Sequence, residues 1–140
     1  MEKIFESILL SYLNLPYIWG GQNFKGVDCS GLAQLALASL GLAPKEDATA
    51  QGLYDHFSKN CFVKMYPELG TLLFHGHTVS SITHIRIALN ENLCIEAGGG
   101  GSHVNTIEDA LKINACVRVR PIAQREYDQV AKLTPIYPWL

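Results

Sequence analysis

The chain has 140 residues, a net charge of −2 and an isoelectric point near 6.2. A chain of this length fits one domain and can bury about two-thirds of the surface that it exposes when unfolded. Its longest basic cluster is the pair Arg118 and Arg120, and no segment approaches the roughly 18 uninterrupted apolar residues of a membrane span. We therefore expect one domain over residues 1–140, with neither nucleic acid nor a membrane as a partner.

The N-terminal segment MEKIFESILLSYLNL has acidic residues within a short apolar stretch and no small-residue cleavage site. It is predicted as an amphipathic helix that carries Ile4, Ile8, Leu9 and Tyr12 on one face and ends before Pro16. It is not predicted as a signal peptide. We therefore expect the chain to be cytoplasmic as synthesised.

The stretch from Pro16 to Val27 is predicted as a loop because glycines interrupt it. Asp28 can then cap a second helix that runs to about Gly41, because apolar residues recur at helical spacing after it. These apolar residues are Leu32, Leu35, Ala36 and Leu40. A third, shorter helix is predicted from Thr49 through Phe57.

From Gly70 onward the pattern changes to short apolar or alternating stretches that are typical of β-strands. The stretches are TLLF, THIRIALN, LCIEA and ACVRVRP, and residues 90–92 form a predicted hairpin turn. Thr106 and Asp109 resemble a capping box, which predicts a short helix before the last strand. Helices followed by a mostly antiparallel sheet indicate an α+β domain.

The four cysteines are 32, 33 and 22 residues apart, so none has the CxxC spacing of a zinc knuckle. We expect no metal and no cofactor. Without an export signal the thiols should stay reduced, and Cys61, Cys94 and Cys116 are interpreted as small buried apolar residues. Cys29 differs because it is predicted as the first residue of the second helix, where backbone N–H groups and the helix dipole favour a thiolate.

A nucleophilic cysteine needs a base, and the chain has five histidines. His84 is the best candidate because it begins the alternating stretch HIRIAL, so that a strand fixes its direction. His75 and His77 are predicted in a connection between strands. His56 ends a helix, and His103 follows four glycines.

The stretch PYIWGGQNFKGVDCSGL resembles the signature of the NlpC-type cysteine peptidases, papain-like endopeptidases that cut the peptide stems of bacterial peptidoglycan. The later stretches GTLLF and THIRIALNENLCIEA are similar to the second block of that family, and the resemblance covers about residues 5–122. It implies a papain-like fold in which the central helix carries the cysteine and packs on a mostly antiparallel sheet. It also implies that peptidoglycan peptides are the partner.

The resemblance implies roles for particular residues. Cys29 matches the nucleophile, His84 matches the base, and Tyr17 matches a tyrosine that lines the site. Asp28 and Ser30 match positions that hold the substrate amine in relatives that cut after a free N-terminal dipeptide. Helix capping by Asp28 is the alternative interpretation.

The third catalytic position departs from the family pattern. It usually holds a His, Asn or Gln twelve residues after the base, and here it is Glu96. A carboxylate there would accept the imidazole N–H and stabilise the imidazolium. In the alternative, Glu96 is a surface acid and His103 completes the site. Arg86, where the family tends to have a small residue, shares the predicted face of His84, so it would narrow the cleft or bind an acidic substrate.

The run GGGGS at residues 98–102 lacks the Lys-Ser/Thr of a phosphate loop and is predicted to form a flexible rim of the cleft.

The leading interpretation of the whole sequence is a cysteine endopeptidase or amidase acting on peptidoglycan stem peptides. By the resemblance, the bond could be that between the γ-D-glutamyl residue and the diamino acid. The alternatives are an amidase or acyltransferase of the same fold with another substrate, and a non-catalytic phage tail or assembly module.

The place of action follows from the expected absence of a signal peptide. Action on the wall would then need delivery by a phage or a secretion apparatus, and an immunity protein would be a further partner. Processing of recycled wall peptides in the cytoplasm is the alternative.

Overall fold

The computed structural model describes residues 1–140 as four α-helices and seven β-strands. In chain order they are α1 (Glu2–Ser11), β1 (Gln22–Asn23), β2 (Gly26–Val27), α2 (Cys29–Ala38), α3 (Ala50–Phe57), β3 (Leu72–Gly76), β4 (Ile82–Ala88), β5 (Leu93–Gly98), α4 (Ile107–Ile113), β6 (Cys116–Pro121) and β7 (Gln129–Leu133). A single 3-10 turn, Ile122–Arg125, joins β6 to β7. None of the helices combines the length and the apolar composition needed to cross a lipid bilayer.

Five strands form one sheet in the order β6-β5-β4-β3-β7, and every neighbouring pair is antiparallel. The short strands β1 and β2 pair with each other within the predicted loop before α2. Helices that precede an antiparallel sheet confirm the predicted α+β class. The register between β3 and β4 shifts after His75, which places a β-bulge beside the start of β4.

Helix α2 lies between α1 and α3 and packs on β4 and β5. Its apolar side chains share one buried cluster with side chains from one face of the sheet. The helix contributes Leu32, Ala33, Ala36 and Leu37, and the sheet contributes Leu72, Phe74, Ile85, Ile87 and Ile95. The prediction of a central helix packed on the sheet is therefore confirmed.

The buried face of helix α1 differs in part from the one predicted. Leu9 and Tyr12 are buried as predicted, but Phe5 is fully buried in place of Ile4, which is 60% exposed. The ring of Phe5 packs against Tyr137 and Trp139, with centroids 5.3 and 5.5 Å away. Ile4 and Phe5 both fit the helical spacing of a face that contains Leu9, and the aromatic residues near the C-terminus decide that Phe5 is the one buried.

The prediction that β6 is the last strand is wrong, because β7 follows it and pairs with β3 at the edge of the sheet. Four of the five residues of β7 are only half-buried. Strict alternation of apolar and polar residues is typical of a strand with one fully buried face. Because β7 has no such face, its sequence, QVAKL, does not alternate in this way and gives no strand signal.

Candidate active site

The carboxylate of Asp28 holds the N-terminus of α2. Its Oδ1 accepts a hydrogen bond from the Gly31 N–H at 2.8 Å, and its Oδ2 accepts one from the Gly20 N–H at 2.9 Å. The Ser30 hydroxyl donates to Oδ1 at 3.2 Å. Asp28 is thus the N-cap, as predicted, and it also ties the preceding loop to the helix. Cys29 is the first helical residue.

Two glycines allow this loop to touch α2. A Cβ atom on Gly31 would collide with the carbonyl oxygen of Gly21, so the loop and the first helical turn pack backbone against backbone. Gly20 has φ +75°, a left-handed conformation that favours glycine. The WGG and SGL parts of the motif therefore fix the position of Cys29.

His84 lies at the start of β4 and contacts side chains from two other elements. Its Nε2 lies 2.7 Å from Oε2 of Glu96 on β5, and its imidazole is near enough to the Cys29 side chain for that group to raise the pKa of His84. The other carboxylate oxygen, Oε1, lies 3.1 Å from Nε of Arg120 on β6. The structure thus brings together the three residues predicted from the sequence, Cys29, His84 and Glu96.

The protonation of this pair follows from its contacts. Burial disfavours the charged imidazole, but the interactions of His84 with Cys29 and Glu96 outweigh it and raise the pKa of His84 to about 9. Burial also opposes ionisation of Glu96, but His84, with Arg86 and Arg120, lowers the pKa of this carboxyl below its ordinary value. At neutral pH the pair is therefore an imidazolium and a carboxylate.

These residues line a cleft of about 670 Å³. Its walls are the N-terminal turn of α2, the segment 47–49 with the first residue of α3, the start of β4, and Gly98–Gly101 after Glu96. We call this last segment the glycine rim. Trp19, which is 53% exposed, and Arg125 also line the cleft. A cleft of this volume has the size of a small-molecule or peptide site.

Tyr17 lines the cleft with a buried side chain. A Cβ atom on Gly100 would collide with its ring, so the glycine rim lies directly on this tyrosine. Burial, with the negative charges of Cys29 and Asp28, raises the pKa of Tyr17, so the phenol stays a neutral hydrogen-bond donor. Asp28 and Ser30 also line the cleft.

Arg86 does not face the cleft, which corrects the prediction that it narrows the cleft or binds substrate. It shares the sheet face of His84, as the alternation predicts, but it is 1% exposed and is absent from the cleft lining. The turn Ile122–Arg125 covers it and accepts hydrogen bonds from its guanidinium. His75, predicted in a loop, is a fully buried residue of β3 that accepts a hydrogen bond from Arg86 Nε at 2.8 Å.

His103 is exposed and lies outside the cleft lining. Glu96, and not His103, therefore occupies the position beside His84. Among the other thiols, Cys94 is buried as predicted, while Cys61 and Cys116 are half-buried. No three His, Cys, Asp or Glu side chains converge on a point where they could hold a metal ion.

Two arginines of the site have no counterpart among the predictions. Arg120 on β6 forms a salt bridge with Glu96 on β5. In the register of these two strands the residue directly opposite Glu96 is Arg118, and not Arg120. A long connection separates these strands, so no hairpin turn reveals their register. Arg125 lies in an irregular turn that no periodicity marks.

The sequence profile of the NlpC/P60 family matches residues 14–121, a range that contains Cys29, His84 and Glu96. The chain belongs to the NlpC/P60 family. The resemblance stated from the sequence is thereby confirmed.

Two relatives are each 32% identical to this chain over the aligned residues. Dipeptidyl-peptidase 6 of Lysinibacillus sphaericus aligns over 105 residues, which cover 74% of this chain and 35% of the relative. The bifunctional muramidase/DL-endopeptidase CwlT of Bacillus subtilis (strain 168) aligns over 103 residues, which cover 69% and 30%. The chain therefore spans about a third of the length of the curated relatives that it matches.

Solved structures show the same fold. The NlpC/p60 domain of the peptidoglycan hydrolase SagA superposes with a TM-score of 0.69 at 18% identity, over 96% of this chain and 98% of that one. RipD of Mycobacterium tuberculosis superposes with a TM-score of 0.66 at 19% identity, over 96% of each chain. RipD is a non-catalytic NlpC/p60 domain protein adapted to peptidoglycan binding. The papain-like α+β fold predicted from the sequence is confirmed.

Proposed function

We propose that the chain is a cysteine endopeptidase that hydrolyses amide bonds in peptidoglycan stem peptides. The observation that carries the proposal is the placement of Cys29, His84 and Glu96 in one cleft at the N-terminus of α2, with His84 hydrogen-bonded to Glu96. Membership of the NlpC/P60 family and the similarity to CwlT, named a DL-endopeptidase, support this substrate and reaction. We assign cleavage to the bond between the γ-D-glutamyl residue and the diamino acid, as the family resemblance implies.

In the proposed reaction the Cys29 thiolate attacks the carbonyl carbon of the scissile amide. The Cys29 N–H has no intrahelical acceptor at the first position of α2, so it can donate to the oxyanion. Protonated His84 gives its proton to the nitrogen of the leaving amine as the C–N bond breaks. Neutral His84 then takes a proton from water, which hydrolyses the thioester and releases the acid and the Cys29 thiolate.

We further propose that Tyr17, Asp28 and Ser30 contact the acyl side of the substrate. The Asp28 carboxylate accepts three hydrogen bonds within the protein, which leaves acceptor capacity for a substrate amine. The neutral phenol of Tyr17 lies in the same wall of the cleft. Capping and substrate binding by Asp28 are therefore compatible.

The first prediction tests the nucleophile and the base. Cys29→Ala and His84→Ala should each lower the turnover of peptidoglycan peptides roughly a thousandfold or more, because the two residues act as a unit. Cys61→Ala and His77→Ala are matched controls, since neither residue lines the cleft, and both should keep normal turnover. Peptide release by mass spectrometry measures activity, and circular dichroism checks the fold. Normal turnover in either cleft variant would overturn the proposal.

The non-catalytic reading, for which RipD is the precedent, makes a different prediction. A recognition module needs no activated thiol, whereas an imidazolium-paired Cys29 should react with iodoacetamide at pH 6 much faster than a free thiol does. Slow alkylation of the wild type, together with peptide binding but no cleavage, would favour the binding module.

Two further questions concern the substrate and where it is met. Profiling of other amides and esters as substrates separates the endopeptidase from an amidase or acyltransferase of the same fold.

We propose that the chain acts on the cell wall. A phage or a secretion apparatus would carry it there, and an immunity protein would inhibit it in the producing cell. Processing of recycled peptides is the alternative.

A further inference from the structure

The cleft has an uneven distribution of charge. Asp28, Asp47 and Glu96 all line it, but Arg125 is the only Lys or Arg side chain that does so. Protonated His84, the other cation that lines the cleft, is already paired with Glu96. Arg125 is therefore the one Lys or Arg side chain that a negatively charged group on a substrate would meet in the cleft.

The Arg125 guanidinium is held in one orientation. Its Nε and Nη2 donate to the two carboxylate oxygens of Asp128, with Nη2 at 2.9 Å from Oδ2. The Nη1 group makes no hydrogen bond within the protein, and the side chain is 32% exposed. One edge of the fork is thus anchored, and the other is free to bind an anion.

The buried network beneath Arg125 fixes both its backbone and its anchor. Arg86 Nη2 donates to the carbonyl oxygens of Ile122 and Arg125, at 3.1 and 3.3 Å. Arg86 Nε donates to Nε2 of His75, so the proton of this neutral ring is on Nδ1 and donates to Asp128 at 3.0 Å. Burial, with the charge of Arg86, lowers the pKa of His75 to about 4, which keeps the ring neutral. Arg86 is therefore a positioning residue for Arg125.

Arg125 belongs to the His84 side of the cleft. Its anchor Asp128 is hydrogen-bonded to His75, and the ring centroid of His75 lies 5.8 Å from that of His84. In the proposed reaction His84 protonates the leaving amine. Asp28, by contrast, caps α2 next to the nucleophile. We propose that Arg125 binds a carboxylate of the substrate residue that follows the scissile bond. This inference rests on the proposed endopeptidase function.

Two tripeptides test the proposal. They share an L-Ala-γ-D-Glu start and differ only in the last residue, which carries a free α-carboxylate in one peptide and a carboxamide in the other. The wild type should cleave the carboxylate peptide with a kcat/KM about tenfold higher, mainly through KM, because the hydrogen bonds to Arg125 are charge-assisted but partly exposed. Arg125→Gln should bring this ratio close to one, by slowing cleavage of the carboxylate peptide alone.

Arg118→Gln is the matched control, because it removes the same charge from a position outside the cleft, and it should keep the wild-type ratio. A ratio unchanged by Arg125→Gln, or equal rates on both peptides in the wild type, would overturn the role of Arg125. Calorimetric binding of both peptides to Cys29→Ala, with and without Arg125→Gln, separates this failure from failure of the proposed function. If neither peptide is cleaved, a carboxylate preference in binding that needs Arg125 still supports the subsite, and its absence refutes it.

Discussion

Glu96 has one cationic partner for each of its oxygens. Oε2 lies 2.7 Å from Nε2 of His84, and Oε1 lies 3.1 Å from Nε of Arg120. With both oxygens engaged, the carboxylate has a fixed plane, and it fixes the plane of the imidazole that it contacts. An amide at this position could present an acceptor to only one of the two cations.

Glu96→Gln should therefore lower kcat by about one to two orders of magnitude, and Glu96→Ala should lower it further. The amide keeps some orientation of His84 but loses the charge that stabilises the imidazolium. His103→Ala should have nearly wild-type kcat, because His103 is exposed and outside the cleft. Steady-state peptide cleavage measures all three. A severe defect in His103→Ala beside an active Glu96→Ala would transfer the third role to His103.

The pH profile gives a second readout of the same contact. Burial lowers the pKa of His84, but Cys29 and Glu96 raise it to about 9 overall. The imidazolium needed by the leaving amine is present below this pH and is lost as the pH rises through it. The alkaline limb of kcat/KM should thus fall near pH 9 in the wild type and at a lower pH in Glu96→Gln. An unshifted limb would contradict an ion pair between the two residues.

At the scale of single residues, the sequence predicts which residues form the site better than it predicts how deeply a side chain is buried. Cys29, His84 and Glu96 meet as expected because each belongs to a motif or to a regular element. The alternation in β4 correctly places Arg86 on the face of His84, but alternation cannot tell that a later turn covers that face. Arg125, which does face the cleft, belongs to that covering turn.

Among the elements, the contact between α2 and the glycine loop depends on the absence of a side chain. Alanine usually stabilises a helix by about 1 kcal/mol relative to glycine. Gly31→Ala should instead destabilise the fold by roughly 1–3 kcal/mol, because its methyl group would collide with the Gly21 carbonyl. Thermal unfolding measures this. Gly52→Ala in α3 is the control, since its methyl would meet only Ala48 Cβ, at 3.2 Å, and Thr49 Oγ1, at 3.6 Å, and it should have a much smaller effect. A stabilised Gly31→Ala would show that the loop moves freely away from α2.

The elements that the sequence predicts well have signals of their own. Thr49 caps α3 and Thr106 caps α4, as their side chains and positions indicate. The edge strand β7 has no such signal because neither of its faces is fully buried. The buried face of α1 is chosen by residues more than a hundred positions away, which no local pattern contains.

For the whole molecule, the size of the substrates that enter the cleft between the helical layer and the sheet is a test of where the protein acts. A wall-acting enzyme should release material from intact sacculi as well as cleave free tripeptides and tetrapeptides. A recycling enzyme should prefer small peptides with a free N-terminus, which Asp28 and Ser30 would hold. We expect release from sacculi, measured by mass spectrometry with Cys29→Ala as the blank. Rapid cleavage of free peptides without any release from sacculi would favour recycling.

The strand that carries Glu96 continues directly into the glycine rim. Its pairing with β6 extends to Gly98, which is opposite Cys116, and the left-handed backbone of Gly99 follows at φ +82°. A displacement of the rim that keeps this ladder intact would therefore pivot at Gly99 or beyond. In the proposed reaction, Gly100 and Gly101 would then admit a substrate without breaking the hydrogen bond between His84 and Glu96.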